Sequence, residues 1–174
     1  MIRIVLLLLA IINSAVLFAQ SDTTAKGNNE LKINIVSLVL GAPEISYERS
    51  MNQSSSFGLA VLVGIDEMTD YRFGAIPYYR LYFGQKKTTG FFIEANTGLV
   101  TSNKDRYHYN SLGHATLISK HWTTVGFGVA AGAKLFSRYG MFLDAYYGVG
   151  KLIGGPRVLS RNYPRRGITI GKRF

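Results

Sequence analysis

The chain has no cysteine in 174 residues. That excludes a disulfide framework, a thiolate zinc site, a cysteine nucleophile and a lipid anchor on an N-terminal cysteine. Proline is scarce, at 4, and acids are scarcer than bases, with Asp and Glu numbering 10 against 20 Lys and Arg. Beyond the first 19 residues no apolar run reaches half the roughly 20 residues that a membrane-spanning helix needs. If the rest of the chain crosses a membrane, it must do so as a closed β-barrel, the other architecture that satisfies every backbone polar group in lipid. What is abundant is aromatic and small: Tyr 11, Phe 10 and Gly 19. Such a composition suits short strands better than helices.

The first residues read as a secretory signal. Arg3 supplies a short positive region, Ile4 to Phe18 an apolar core interrupted by Asn13 and Ser14, and Ala19-Gln20 the expected cleavage point. Removing residues 1–19 takes away one Arg and no acid, so the net charge falls from +10 to +9. Residues 20–30 are polar and aperiodic and read as a flexible lead-in. Residues 31–174 then form one domain.

Within that domain the dominant signal is alternation with period two, the signature of strands with two different faces. Eight segments carry it: Leu31–Leu40, Glu44–Met51, Phe57–Ile65, Tyr71–Phe83, Phe91–Val100, Thr123–Phe136, Met141–Leu152 and Arg166–Phe174. Each is close to the 9–11 residues of a tilted spanning strand, the second somewhat short. Pro77 cannot donate to a ladder, so a bulge or a shortened strand is expected there. With the N-terminus placed in the periplasm, the inner turns are short and two outer loops, Thr101–Trp122 and Gly154–Arg165, are long. That asymmetry is the habit of bacterial outer-membrane barrels, and an even strand number puts both termini on the periplasmic side. The expected fold is all-β: an eight-stranded antiparallel up-and-down transmembrane β-barrel in the outer membrane.

The two faces differ in chemistry. One face is apolar, with Arg49 and Lys172 near the inner rim, where long cations can snorkel. Tyr47, Phe57, Phe83, Phe91 and Phe174 sit on that face near the same rim, as an interfacial aromatic girdle would. The other face carries Glu44, Glu48, Arg72, Arg80, Glu94, Lys134, Asp144 and Arg173, interleaved with Gly and Tyr. An eight-stranded barrel is narrow enough for side chains to fill it. These charges are therefore expected to pair across a plugged lumen, which argues against an open channel. A soluble ligand-binding barrel would have the opposite polarity.

Several stretches resemble the small outer-membrane barrels of Gram-negative bacteria, OmpA- or OmpX-like in architecture, and more narrowly an uncharacterised group of them. They are Leu31-Lys32-Ile33-Asn34, Ile45-Ser46-Tyr47-Glu48-Arg49, Tyr78-Tyr79-Arg80-Leu81-Tyr82-Phe83 and Gly167-Ile168-Thr169-Ile170-Gly171-Lys172-Arg173-Phe174. The resemblance implies that the last strand, closing on Phe174, is read by the outer-membrane assembly machinery. Lys172 departs from the apolar or aromatic residue more usual at its position. The family has no agreed activity.

Chemistry-bearing motifs are few. Gly126-Phe127-Gly128-Val129-Ala130-Ala131 fits a dinucleotide fingerprint in letters, but it continues a strand instead of turning into a helix, so close packing is expected. His108, His114 and His121, with Asp105 near, match no local metal-ligand spacing. His121 and Thr123 share a face but lack an acid to complete a triad. Arg157, Arg161, Arg165 and Arg166 lie in an acid-free stretch and form a candidate anion-binding loop, since guanidinium suits bidentate phosphate contact.

The expected function is non-enzymatic: a structural or surface-interaction barrel, a monomer, whose outer loops contact glycolipid or a partner. A lipid-modifying barrel enzyme is the alternative, and a narrow channel the third reading. No catalytic, cofactor or metal residue is assigned, and nucleic acid is not an expected partner.

Overall fold

The computed structural model describes residues 27–65, 71–109, 115–137, 140–153 and 162–174; for 71, 102–109 and 115–121 it describes the backbone alone. The expected signal segment lies outside these residues, as do Arg157, Arg161 and His114. Eight strands run in chain order: β1 Asn29–Asn34, β2 Glu44–Ser50, β3 Ser55–Val63, β4 Tyr71–Tyr82, β5 Gly90–Tyr109, β6 Ala115–Phe136, β7 Met141–Ile153 and β8 Asn162–Arg173. A five-residue helix, α1, spans Ile35–Val39. Every strand pairs antiparallel with its chain neighbours, and β1 pairs with β8, so the sheet closes without an edge. Among the described residues no helix is long and apolar enough to cross a membrane.

Closure comes with a definite stagger. A row of partners leaves β5 at Gly90 and passes through Lys134, Asp144, Thr169, Asn34, Glu44, Leu62 and Gly74. It returns to β5 at Val100, ten residues further along. Ten residues of stagger around eight strands tilt them about 40° from the axis.

The pleat then sorts side chains in and out with period two. In β2 the burial alternates without exception: Glu44, Ser46, Glu48 and Ser50 inside, Ile45, Tyr47 and Arg49 outside. The same alternation runs the length of β8. Leu31, Ile33, Phe57, Leu59, Phe91, Ile93, Val129, Leu143, Ile168 and Ile170 all face outward and exposed.

Besides the start of β8 at Asn162 instead of Arg166, the strands depart from the sequence reading at four places. First, β1 stops at Asn34 instead of running to Leu40. The Asn34 side chain accepts from the Ser37 N–H and caps α1, so a local side-chain bond outcompetes the ladder. Second, β1 starts at Asn29, and Glu30 is fully buried, so the last residues of the expected lead-in belong to the barrel. Third, Pro77 neither bulges nor shortens β4. It stays opposite Leu59 of β3, and the register to β5 is the same on both sides of it, from Ala75–Leu99 to Tyr78–Asn96. The register instead shifts between Tyr71 and Phe73, which leaves Arg72 as the extra residue. Fourth, most of the expected loop 101–122 is a two-stranded ribbon. β5 and β6 stay in register from Ser102–Trp122 out to Tyr109–Ala115. That carries the ribbon about 25 Å past the last rung it shares with β4, and further past the last it shares with β7.

Candidate functional site

The interior of the barrel is the most organised part of the molecule. Five acids, Glu30, Glu44, Glu48, Glu94 and Asp144, meet five bases, Lys32, Arg80, Lys134, Arg165 and Arg173, all of them buried. Each of these acids is in an ion pair with at least one of these bases.

Glu48 is the hub. Its Oε1 accepts from Lys134 Nζ at 2.8 Å, Ser56 Oγ at 2.7 Å and Tyr82 Oη at 2.6 Å. Its Oε2 accepts from Lys32 and from Tyr78 Oη at 3.1 Å, and Arg80 Nη1 lies 3.3 Å away. Arg80 donates onward to Glu94 at 2.8 Å and Asp144 at 2.5 Å, and its guanidinium lies over Phe92, 4.1 Å from the ring centroid. Ions buried in this way lose their hydration, and the ordered set of partners is what compensates.

Above the hub, Arg165 bridges Glu94 at 2.7 Å and Glu44 at 3.0 Å. Below it, Lys134 donates to Glu30 at 2.8 Å, and Arg173 grips the other oxygen of Glu30 through Nε at 3.0 Å and Nη2 at 2.5 Å. The turn between β4 and β5 closes this end. Thr88 is buried in a left-handed conformation, φ 43°, with its N–H given to the Gln53 carbonyl and its hydroxyl between Ser50 and Arg173. Such a conformation is costly for a β-branched residue and persists where neighbours fix it. At the other end Tyr163, Leu152, Val100, Ile76 and Ala60 form an apolar plug above the charges.

Glycines make room for the interior rings. A Cβ at Gly150, Gly126 or Gly98 would come within 1.9 to 3.0 Å of the Tyr163 ring, and one at Gly128 within 2.9 Å of its hydroxyl. The dinucleotide-like string around Gly126 and Gly128 is thus the seat of a tyrosine, whose hydroxyl donates to Asn96 Oδ1 at 2.6 Å.

Of the eight residues read as lumen charges, seven are buried inside: Glu44, Glu48, Arg80, Glu94, Lys134, Asp144 and Arg173. Arg72 is exposed, because the register shift beside it takes it out of the alternation. Glu30, Lys32 and Arg165 complete the ten; the sequence reading leaves Glu30 and Lys32 unassigned and places Arg165 in a loop. Glu30 lay in the segment read as flexible, and Lys32 alternates with Leu31 and Ile33, a signal that was available.

The arginine loop is corrected in part. Arg165 is not a loop residue: it lies in β8, 1 % exposed, committed to two carboxylates. Arg166, next along the pleat, is exposed on the outside. Tyr47, Phe57, Phe83, Phe91 and Phe174 are all exposed on the outer face. Thr123 Oγ1 lies 3.0 Å from Thr101 Oγ1, so its described partner is another hydroxyl and not a base. His108 and His121 lie in β5 and β6, with side chains outside the described set.

The sheet is a closed eight-stranded antiparallel barrel, apolar outside and charged inside. The N-terminal β-barrel domain of Pseudomonas aeruginosa OprF is similar in fold, with a TM-score of 0.51 and 13 % identity over 85 % of this chain and 98 % of that one. No protein-family model matches the sequence, and no curated protein matches it.

Proposed function

We propose that this chain is an integral outer-membrane barrel with a non-enzymatic, structural or surface-interaction role. The observation that carries the reading is the inverted polarity of a closed sheet: side chains such as Val129, 65 % exposed, and Phe127, 59 % exposed, face outward on every side, while ten charges are buried within. In water that outer surface would be an apolar patch far larger than soluble monomers tolerate. In a bilayer it is the expected lipid face, and the aromatic residues from Tyr47 to Phe174 form its inner girdle.

In this reading both termini are periplasmic, the short turns face inward and the β5–β6 ribbon projects from the cell. The strand ending at Phe174 is the element presented to the assembly machinery. The filled lumen supports a plug in place of a channel. The outer end contacts glycolipid or a partner, and the barrel acts as a monomer.

The test is electrophoresis of the outer-membrane fraction with and without boiling. The mature chain is expected in that fraction, migrating as a compact band unboiled and shifting after boiling. A chain found soluble in the periplasm or medium, with one mobility in both lanes, would overturn the membrane reading.

A further inference from the structure

The outer face is not uniformly convex. Between β4 and β7 it is indented by a groove of about 560 Å³ lined almost wholly by carbon. Ala95 and Ala131 form its floor, and Tyr79, Ile93, Val129 and Tyr147 its walls. The register explains the shape. Ala95 stands between Tyr79 and Val129, and Ala131 between Ile93 and Tyr147, so a small side chain is flanked by large ones in both rows. Tyr147 is 75 % exposed and stands over the groove as a ridge.

One cation stands beyond its end and another beside it. The groove runs up to Val149, and Lys151 is the next outward residue on β7. Arg166 of β8 is directly opposite Tyr147. Both are exposed, and neither has an acidic partner among the described residues. They lie toward the end of the barrel from which the ribbon projects. An apolar groove with one cation beyond its end and a second across the Tyr147 ridge, neither with an acidic partner among the described residues, complements a lipid that joins a phosphate to an acyl chain.

We infer that this groove seats an acyl chain of a phosphorylated glycolipid of the outer leaflet, with Lys151 and Arg166 on its phosphate. The inference rests on the bilayer reading above and deepens it: it places glycolipid contact on the barrel wall, where the sequence suggested a loop. Arg166 is the member of the expected anion-binding set that takes part; Arg165 is spent inside the lumen.

The test uses the full mature chain refolded in detergent micelles and titrated with purified diphosphorylated lipid A, with bound lipid counted by native mass spectrometry. Dephosphorylated lipid A is the second probe. Ala131→Phe, which fills the groove from outside, is expected to weaken binding of both lipids about ten-fold. Lys151→Gln with Arg166→Gln is expected to weaken lipid A about ten-fold and leave the dephosphorylated lipid unchanged. Ala75→Phe, an outward position beyond the groove, should bind as the wild type. Each variant is first required to show the wild-type mobility shift on boiling. If folded Ala131→Phe binds both lipids as the wild type, the groove assignment is wrong while the membrane reading stands. If a dimer is seen in the wild type and Ala131→Phe abolishes it, the groove is a self-association surface and the lipid assignment falls. A chain that never inserts into micelles or vesicles defeats the bilayer reading itself.

Discussion

Glu48→Gln is expected to destabilise the barrel by about 3–5 kcal/mol, the range for breaking a buried ion pair from one side. Lys32, Lys134 and Arg80 all face this carboxylate, so its neutralisation leaves a buried excess of positive charge with no water to screen it. The amide keeps much of the shape and can still accept from Ser56 and Tyr82, so the loss reports charge more than packing. The check is the urea midpoint for unfolding from lipid vesicles, read by gel mobility. Adding Lys134→Met to Glu48→Gln restores neutrality, and Glu30 keeps Arg173 as its partner. The double variant is therefore expected to recover at least half of the loss. A single variant within about 1 kcal/mol of the wild type would show that the cations redistribute freely, contrary to a fixed network.

Gly150→Ala is expected to cost about 1–3 kcal/mol, the usual penalty for overpacking. The added methyl carbon would fall 1.9 Å from Cζ of Tyr163, and the ring has little freedom to retreat because Gly98, Gly126 and Gly128 already crowd it. In a Tyr163→Ala background the same substitution should be close to neutral. Comparing the two urea midpoint differences gives the coupling directly. Equal costs in both backgrounds would mean that Gly150 is needed for its backbone and not for the ring.

Much of this architecture could be read from the residues, and the reason is physical. When one face of each strand meets lipid and the other a narrow lumen, a period of two cannot be hidden, and β2, β7 and β8 display it without interruption. What resisted reading were places where a local interaction competes with the ladder. The bond from Asn34 to Ser37 ends β1 early. The extra residue Arg72 leaves the alternation at the register shift. The stretch beyond Ser102 sets apolar residues such as Leu117 and Ile118 side by side among charged ones, so its hydropathy does not alternate as a strand's would, although its backbone pairs to Tyr109–Ala115. Arg165 shows the same limit. Beside Arg166 in an acid-free stretch it reads as a solvated loop residue, because its carboxylate partners, Glu44 and Glu94, are distant in sequence.

The charge balance of the lumen has a consequence for how the molecule meets its surroundings. Setting aside the five acids and five bases inside, the remaining 5 Asp and Glu and 15 Lys and Arg lie elsewhere in a chain that totals 10 acids and 20 bases. The interior cancels itself, and the described charges outside it, Arg49, Arg72, Lys86, Lys87, Lys151, Arg166 and Lys172, are all positive and lie on the outer wall and the turns. Such a body looks to a distant anion like a neutral cylinder with a positive skin. Its long-range pull on anionic surfaces should be strong in dilute buffer and fade as the Debye length shrinks from about 30 Å at 0.01 M salt to about 8 Å at 0.15 M. The buried pairs, beyond the reach of mobile ions, should keep the barrel folded throughout that range.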